Sequence, residues 1–349
     1  MNTELNKNPH RINNILTGEW ILVSPHRTKR PWQGKTEESR SIKKATYDAS
    51  CYLCPGNTRA SGDTNPDYKE PYSFVNDFSS LLPDSPEIDF QDGLLKAESE
   101  QGICKVVCFS PDHSLTLPLM EVEDIAEVIK MWKKEYLELG SGENINYVQI
   151  FENKGAIMGC SNPHPHGQIW SQSSIPTEVL KKSAKFREYW NKNERSLLSD
   201  YLKQELEAGE RILDENEHFV ALIPYWAVWP FEAMIIPKRH LQHIGQLNEA
   251  EEKAYAEIIK KLTIKYDNLF ETSFPYSSGI HQAPTDGKEY PEWHFHMSFY
   301  PPLLRSASVK KFMVGYEMFA GPQRDITAEQ AAKRLNELPE KHYSESLSE

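Results

Sequence analysis

The segment Cys160-Ser-Asn-Pro-His-Pro-His-Gly-Gln-Ile-Trp170 is the most informative stretch of the chain. Its histidines, His164 and His166, are two residues apart, so in an extended segment both side chains point to the same face. Pro165 between them excludes a helix interior and fits poorly in a central strand. Gly167 lets the backbone come close to a bound group. Such a segment is suited to a metal, a phosphate or a reactive histidine.

Composition limits the class of protein. The chain has 349 residues, with 39% apolar and 26% charged residues, which is typical of a globular protein with room for two domain-sized units. The net charge of -12 argues against nucleic acid as a partner, since phosphate backbones require clustered Lys and Arg. The N-terminus lacks an apolar signal region, and no run approaches the length of a membrane span. With five cysteines and no export signal, we expect a cytoplasmic protein with reduced or metal-bound thiols.

The two halves of the chain follow the same order of predicted elements. In the first half, apolar runs predict strands at 20–23, 104–109 and 146–151, and helical spacing predicts a helix over 121–139. A charged, helix-like region covers 175–209, and Pro176 marks a boundary. The second half has predicted strands at 219–223, 231–236 and 294–300 and capped helices over 248–266 and from Thr327. We interpret this order as a weak internal duplication, with halves at 1–175 and 176–349.

Cys51 and Cys54 have the two-residue spacing of a zinc knuckle, and a Pro-Gly turn follows them. A tetrahedral site requires two further ligands from elsewhere in the chain. The residues alone leave four candidates, which are His113, His164, Cys104 and Cys108. Because Cys104 and Cys108 lie in an apolar strand, they fit better as small core residues.

Three interpretations of His166 remain open from the residues alone. It is a structural histidine, a second metal ligand, or a nucleophile that attacks phosphorus and forms a phosphoramidate. A nucleophilic imidazole must be neutral, with its other nitrogen donating to a carbonyl or carboxylate. The adjacent segment 153–161 contains glycines, Asn153 and Ser161 and is similar to a phosphate-binding loop.

Two further clusters are candidates for binding. His281, His294 and His296 form either a second metal site or packing histidines at a domain junction, with His294 and His296 on one predicted strand face. Arg27 and Arg30 lie in a loop stiffened by Pro and Trp, where they form a compact basic patch that is a candidate for anion binding.

The chain resembles the galactose-1-phosphate uridylyltransferase family, a branch of the histidine-triad superfamily. The resemblance covers nearly the whole length and is most specific in Pro163-His-Pro-His-Gly-Gln168. Other matching segments are 18–27, 65–68, 75–78, 109–113, 151–155, 224–227, 266–270, 300–305 and 311–317. It implies an α+β fold, a duplicated histidine-triad-like fold with antiparallel sheets and flanking helices. It also implies a homodimer whose active sites take residues from both subunits.

The resemblance implies a two-step exchange. UDP-glucose gives its uridylyl group to His166 and releases glucose 1-phosphate, and galactose 1-phosphate then takes the group to form UDP-galactose. Beside His166, the implied catalytic residues are Gln168, Ser161 and Cys160. The implied metal ligands, for zinc, are Cys51, Cys54, His113 and His164. The implied substrate contacts are Arg27, Arg30, Ala60, Asn76, Asp77, Asn153, Ser161, Gln168, Lys311, Phe312, Tyr316, Glu317 and Gln323.

The second histidine cluster departs from the family pattern. Relatives that hold a second metal there, iron or zinc, have a glutamate where this chain has Lys182 and a histidine where it has Ser298. A cation beside a divalent metal is repelled. We therefore expect this site to be empty or rebuilt around His294, with His281 and His296 as the remaining family ligands.

Two other classes of function share the His-x-His pattern. One is a histidine-triad hydrolase or dinucleotide phosphorylase, and the other is a non-catalytic, zinc-stabilised nucleotide-binding protein. Gln168 argues against the hydrolase, because an amide stabilises phosphoryl oxygens without acid or base chemistry. The intact His166 and the adjacent loop argue against a protein that only binds nucleotides.

Overall fold

A computed structural model of the chain describes Leu5 and residues 8–29 and 45–345. Arg30 lies outside the described residues, so its proposed role stays a prediction.

The strands of the described part are β1 His10–Asn13, β2 Trp20–Val23, β3 Tyr72–Val75, β4 Asp89–Asp92, β5 Leu95–Glu98, β6 Gly102–Cys108, β7 Tyr147–Lys154, β8 His166–Gln172, β9 Ile212–Glu215, β10 Phe219–Leu222, β11 Ala233–Pro237, β12 Tyr276–His281, β13 His296–Tyr300, β14 Leu303–Ser306, β15 Val309–Lys310 and β16 Gln323–Arg324.

The helices follow the sequence patterns closely. The described α-helices are α1 Val122–Gly140, α2 Thr177–Asn193, α3 Leu197–Ala208, α4 Glu249–Leu269, α5 Tyr316–Phe319 and α6 Ala328–Asn336. The predicted capping boxes are confirmed: the Asn248 side chain accepts from the backbone N–H of Glu251, and that of Thr327 accepts from Gln330. None of the helices in the described part is long and apolar enough to span a membrane.

One nine-stranded antiparallel sheet runs through both halves of the chain, which confirms the predicted α+β class with antiparallel sheets. Its order is β3-β6-β8-β7-β12-β13-β11-β10-β9. The strands before residue 175 occupy one side, and those after it occupy the other. The two sides join where β7 pairs with β12, with Phe151 opposite Gly279. Because this sheet is continuous, the division of the chain at 175 stays a prediction.

Each face of the sheet is covered by its own apolar core. Along β10, Phe219 and Ala221 belong to the core that contains buried residues of α1 and α4. Val220 and Leu222 belong to a second core, with residues of α2, α3, β1 and β2. This alternation is the two-residue period of a strand buried on both faces. The sheet is therefore a rigid middle layer, from which side chains are presented at the ends of strands.

The structure corrects one predicted strand. We expected a strand over 294–300 with His294 and His296 on one face, but β13 begins at His296, and His294 precedes it. The first half has the same arrangement, since β8 begins at His166, and His164 precedes it. In both halves the first histidine of the pair leaves the strand, and the two imidazoles lie in different surroundings.

Candidate active site and metal cluster

His166 is the first residue of β8, between two paired strands. It lies opposite Cys108 of β6, and two residues on, Gln168 lies opposite Phe151 of β7. Gly167 between them is required by packing, because a Cβ there would lie 2.9 Å from the Phe109 ring and 2.9 Å from the Phe151 carbonyl oxygen. His166 and Gln168 therefore share one face of a closely packed strand.

The His166 ring is oriented by the backbone. Its Nδ1–H donates to the carbonyl oxygen of His164 at 2.7 Å, which leaves Nε2 with a free electron pair. Burial lowers the pKa of His166, so that the neutral imidazole is favoured. A neutral ring with one fixed nitrogen and one available nitrogen has the properties required of a nucleophile.

A cavity of about 360 Å³ opens beside His166. Six predicted functional residues line it: Ala60, Asn76, Asp77, Ser161, His166 and Gln168. The rest of the wall is apolar or aromatic and was missed by sequence reasoning: Tyr52, Leu53, Phe74, Phe78 and Val106. Such residues resemble ordinary core positions in a sequence, although Phe78, with 79% of its surface exposed, is too exposed to be one. The combination of a flat apolar wall and a polar end suits a nucleotide.

The Gln168 amide is oriented by a neighbouring side chain. The indole N–H of Trp170 donates to Gln168 Oε1 at 2.9 Å. With the oxygen engaged, the amide NH₂ remains available as a donor on the side of the cavity that Gln168 lines. The arrangement can stabilise negative charge on a phosphoryl oxygen, but it has no acid or base function.

Arg59, which sequence reasoning also missed, holds the carboxylate of Asp77 at the cavity. The Nη1 atom of Arg59 lies 3.5 Å from Asp77 Oδ1, and the backbone N–H of Ser61 donates to Asp77 Oδ2 at 3.2 Å. The guanidinium also stacks over the Phe74 ring, with 4.3 Å between the guanidinium carbon and the ring centroid. One largely buried cation thus links the polar end of the cavity to its aromatic wall.

The segment 153–161, from the end of β7 to the loop before His166, contains the other predicted phosphate contacts. Gly159 has a φ of 83°, a left-handed conformation that favours glycine. Asn153 accepts a hydrogen bond from Ser277 Oγ at 2.6 Å, and the Cys160 thiol donates to the Asn162 carbonyl at 3.0 Å. Of the predicted residues in this segment, Ser161 lines the cavity, whereas Asn153 and Cys160 do not.

The remaining predicted substrate contacts form a separate group. They do not line the His166 cavity: Arg27, Lys311, Phe312, Tyr316, Glu317 and Gln323. Within this group Lys311 pairs with Glu317 at 3.0 Å, and its ammonium donates to the Gln323 carbonyl. Arg27 Nε lies 3.6 Å from Asp325 Oδ1. Phe312 and Tyr316 are exposed. Within the described residues of one chain, the predicted substrate contacts therefore do not all lie at the His166 cavity.

A buried cluster of four side chains can bind a metal. Its ligand atoms all lie within 4.8 Å of one another and belong to Cys51, Cys54, His113 and His164. Cys54 Sγ is 3.6 Å from Nδ1 of His113 and 3.6 Å from Nδ1 of His164. A tetrahedral ion with bonds of about 2.3 Å to sulfur and about 2.0 Å to nitrogen places such atoms roughly 3.5 Å apart. The four residues therefore fit a tetrahedral metal.

The surroundings of this cluster also suit a metal. His164 Nε2 donates to the Ser110 carbonyl at 2.9 Å, which directs Nδ1 toward the cluster. The Leu53 backbone N–H donates to Cys51 Sγ at 3.4 Å. Burial raises the pKa of Cys54 to about 11 and lowers the pKa of His164 to about 4. The imidazole is thus ready to bind, whereas the thiol requires a cation to ionise.

The other two candidate cysteine ligands are core residues in the structure. Cys104 and Cys108 are fully buried in β6 and are not members of the four-residue cluster. Cys108 packs on the apolar side of that cluster, against Leu53 and Val106. These positions agree with the prediction that Cys104 and Cys108 are small core residues and not metal ligands.

The second histidine cluster does not resemble the first. Of the two expectations for this site, empty or rebuilt around His294, the contacts of His294 favour the first: Nδ1 is 2.8 Å from Ser196 Oγ, and Nε2 is 3.0 Å from the Pro237 carbonyl oxygen. His281 and His296 stack with ring centroids 4.7 Å apart. Lys182 Nζ lies 3.2 Å from His296 Nε2, so that a cation donor stands where an acidic ligand would be needed.

Comparisons with known proteins are consistent with this geometry. Two family models match the chain, described as galactose-1-phosphate uridyl transferase, N-terminal domain, over residues 1–176, and C-terminal domain, over residues 182–347. A galactose-1-phosphate uridylyltransferase of Haemophilus influenzae is 54% identical, with 98% of each chain covered. One of Saccharomyces cerevisiae is 48% identical, covering 99% of this chain and 98% of the relative. A solved structure described as a uridylyltransferase is 25% identical, with a TM-score of 0.75. The match covers 94% of this chain and 97% of the chain in that structure.

Proposed function

Because the chain belongs to the galactose-1-phosphate uridylyltransferase family, it is a nucleotidyltransferase of galactose metabolism, and we propose that His166 carries the uridylyl group during the exchange. The reaction converts UDP-glucose and galactose 1-phosphate to glucose 1-phosphate and UDP-galactose. The single observation that carries the proposal is the 2.7 Å hydrogen bond from His166 Nδ1–H to the His164 carbonyl, beside a cavity that a nucleotide fits.

In the first step, Nε2 of His166 attacks the α-phosphorus of UDP-glucose. The bond between that phosphorus and the bridging oxygen breaks, and its electron pair leaves with glucose 1-phosphate. As positive charge develops on the ring, the His164 carbonyl stabilises the Nδ1–H. The product is a uridylyl-histidine, in which uridine keeps its place in the cavity.

In the second step, a phosphate oxygen of galactose 1-phosphate attacks the same phosphorus, and the bond to Nε2 breaks. The sugar phosphate is already ionised, so this step needs little proton transfer. Gln168 supplies N–H donors to the phosphoryl oxygens in both steps, and we propose that Ser161 adds a further donor from the cavity wall. We propose Cys160, in the same loop, and Asn153, near the end of β7, as neighbours of the phosphates.

Replacing Gln168 with leucine is expected to slow the first step. The loss of one donor to a developing oxyanion costs roughly 10²–10³ in kcat. Uridine contacts are unchanged, so the KM for UDP-glucose changes little. Gln172→Leu is the matched control on the same strand, because Gln172 donates to Ser174 at 2.9 Å and does not line the cavity. Single-turnover release of glucose 1-phosphate measures both, and equal rates for the two variants would contradict the role of Gln168.

We propose that Asn76 and Asp77 recognise the nucleoside, and that Arg59 positions Asp77. Arg59→Met removes the cation that holds the Asp77 carboxylate. We expect the KM for UDP-glucose to rise about tenfold, the effect of losing about 1.4 kcal/mol of binding, while kcat changes little. Lys69→Met is the control, because it removes an exposed pair with Asp67. If kcat falls and KM stays constant for Arg59→Met, this role is wrong.

We propose zinc as the metal of the four-residue cluster. Two thiolates and two imidazoles in a closed tetrahedral arrangement are the ligand set of structural zinc. The ion stabilises the segment that contains Cys51 and Cys54 and supplies no step of the reaction. Thiolate ligands also favour a reducing compartment, and we propose the cytoplasm as the location.

We propose that the active protein is a homodimer with shared sites. The support is the separation of the predicted contacts into two groups, of which the one with Lys311 and Gln323 does not line the His166 cavity of its own subunit. Exposed aromatic residues of this group, Phe312 and Tyr316, are typical of surfaces that contact a partner.

Isotope exchange tests the two-step reaction. The protein is incubated with UDP-glucose and labelled glucose 1-phosphate, without galactose 1-phosphate. A covalent intermediate predicts that label enters UDP-glucose, whereas direct transfer between two bound sugars predicts no exchange. A histidine-triad hydrolase, the second candidate, would instead release UMP continuously. The amide at Gln168 favours transfer over hydrolysis, because it can neither take a proton from an attacking water molecule nor protonate a leaving group.

A further inference from the structure

The second half of the sheet repeats the backbone arrangement of the active site. His296 is the first residue of β13, as His166 is of β8. Its Nδ1–H donates to the carbonyl oxygen of His294 at 2.8 Å, which matches the 2.7 Å bond between His166 and His164. Nε2 of His296 is thereby left as an acceptor, just as Nε2 of His166 is.

The difference lies in what this nitrogen contacts. Lys182 of α2 is buried, and its Nζ donates to His296 Nε2 at 3.2 Å. Lys182 also lines a cavity of about 350 Å³, together with His281, Ser298 and Glu232. His281 Nε2 is buried and makes no hydrogen bond with the described residues. The Lys182 nitrogen and the Nε2 atoms of His281 and His296 are therefore buried in the same region.

Two carboxylates lie near Lys182 and partly offset the cost of burying its charge. Glu232 is buried, and its Oε2 accepts from the backbone N–H groups of Val228 and Trp229 at 2.7 and 3.1 Å. Glu178 lies one helical turn before Lys182, and its carboxylate pairs with the exposed Lys181 at 2.7 Å. Burial lowers the pKa of Lys182 to about 7, while Glu178 and Glu232 oppose this shift.

We infer that Lys182 closes the second histidine cavity, so that each chain holds one metal, in the cluster with Cys51, and none at His281 and His296. The residues present do not fit a metal here. His281 and His296 supply two nitrogens, Ser298 is a weak ligand, and the third strong ligand is replaced by a donor that points at His296. A divalent ion bound at His296 would have to displace the Lys182 nitrogen from Nε2, and the protonated form of this lysine would repel the ion.

Metal content of a charge-reversed variant tests the inference. Lys182→Glu replaces the ammonium with a carboxylate beside two imidazole nitrogens, a ligand set that divalent ions accept. The matched control is Lys181→Glu, which makes the same change of charge on the exposed face of α2. Each protein is loaded with Zn²⁺ or Co²⁺, desalted and assayed for metal per chain. We expect one metal for the native chain, one for Lys181→Glu and two for Lys182→Glu.

Two results would overturn the inference. One is a native chain with two tightly bound metals, and the other is a folded Lys182→Glu variant that still holds one. If that variant fails to fold, Co²⁺ titration of the native protein decides: one equivalent with thiolate charge-transfer bands supports the inference, and a second equivalent without them contradicts it. Formation of the uridylyl adduct, followed in the same samples, reports on the proposed function separately, because the inference does not depend on His166.

Discussion

Replacing His166 with asparagine abolishes the exchange, with an expected fall in kcat of roughly 10⁴-fold or more. Asparagine keeps a side-chain N–H that can donate to the His164 carbonyl, but it has no ring nitrogen to attack phosphorus. The other residues that line the cavity are unchanged, so UDP-glucose is expected to bind with nearly its native affinity. Calorimetric binding and steady-state rates measured on the same preparation separate these two effects.

The second half of the chain offers a matched control for this variant. His296 has the same hydrogen bond from Nδ1 to a backbone carbonyl, but its Nε2 contacts Lys182 and not the nucleotide cavity. His296→Asn is therefore expected to keep the uridylyl adduct and most of the activity. If His166→Asn still turns over, or if His296→Asn loses the adduct in a folded protein, the nucleophile has been assigned wrongly.

Loss of the metal cluster is expected to have the second large effect. Cys54→Ser removes a thiolate that lies 3.6 Å from both His113 and His164. A structural zinc contributes binding free energy directly to folding, and we expect the variant to lose its metal and at least about 3 kcal/mol of stability. For a chain of 349 residues, that loss lowers the melting temperature by roughly 4 °C.

Activity is expected to fall together with stability, because the cluster and the nucleophile share a residue. His164 offers its ring to the metal and its carbonyl oxygen to His166 Nδ1. Tyr52 and Leu53, between the two cysteine ligands, line the nucleotide cavity. The control is Cys104→Ala, a buried cysteine outside the cluster. Metal content and adduct formation should be kept in Cys104→Ala. A Cys54→Ser variant that retains full metal and activity would contradict this account.

Secondary structure follows from local pattern in this chain. The helices α1 and α4 lie within a few residues of their predicted bounds, because their apolar periodicity and caps are determined by nearby residues. The capping boxes at Asn248 and Thr327 needed no tertiary information. By contrast, the continuity of the sheet from β7 to β12 depends on a pairing of distant segments, which no local pattern reveals.

The candidate site could be predicted only in part. The His-x-His spacing singled out a segment that the structure places at a cavity, but it suggested that both rings point to one face. The structure separates them, because the strand begins at His166 and not at His164. Arg59 and the apolar wall were missed, since their roles depend on residues that lie close only after folding. Arg59, for example, meets Asp77, which is eighteen positions away.

The second histidine cluster shows the same limit. Lys182 and Ser298 were visible as departures from a metal-binding pattern, but the hydrogen bonds of His294 to Ser196 and Pro237 were not. A sequence shows which residues are present, whereas the occupancy of a ring nitrogen is a property of the packed structure. This is why the sequence left open whether the site is empty or rebuilt around His294.

The central claim, that His166 carries the uridylyl group, is tested most directly by incubating the native protein with UDP-glucose alone. We expect release of one glucose 1-phosphate per active site and then a stop. Mass spectrometry of the peptides, kept at neutral pH, should locate one acid-labile uridylyl group on His166. Three results would contradict the account. They are continuous release of UMP, an adduct on another residue, and the absence of any adduct from a protein that is fully active with galactose 1-phosphate.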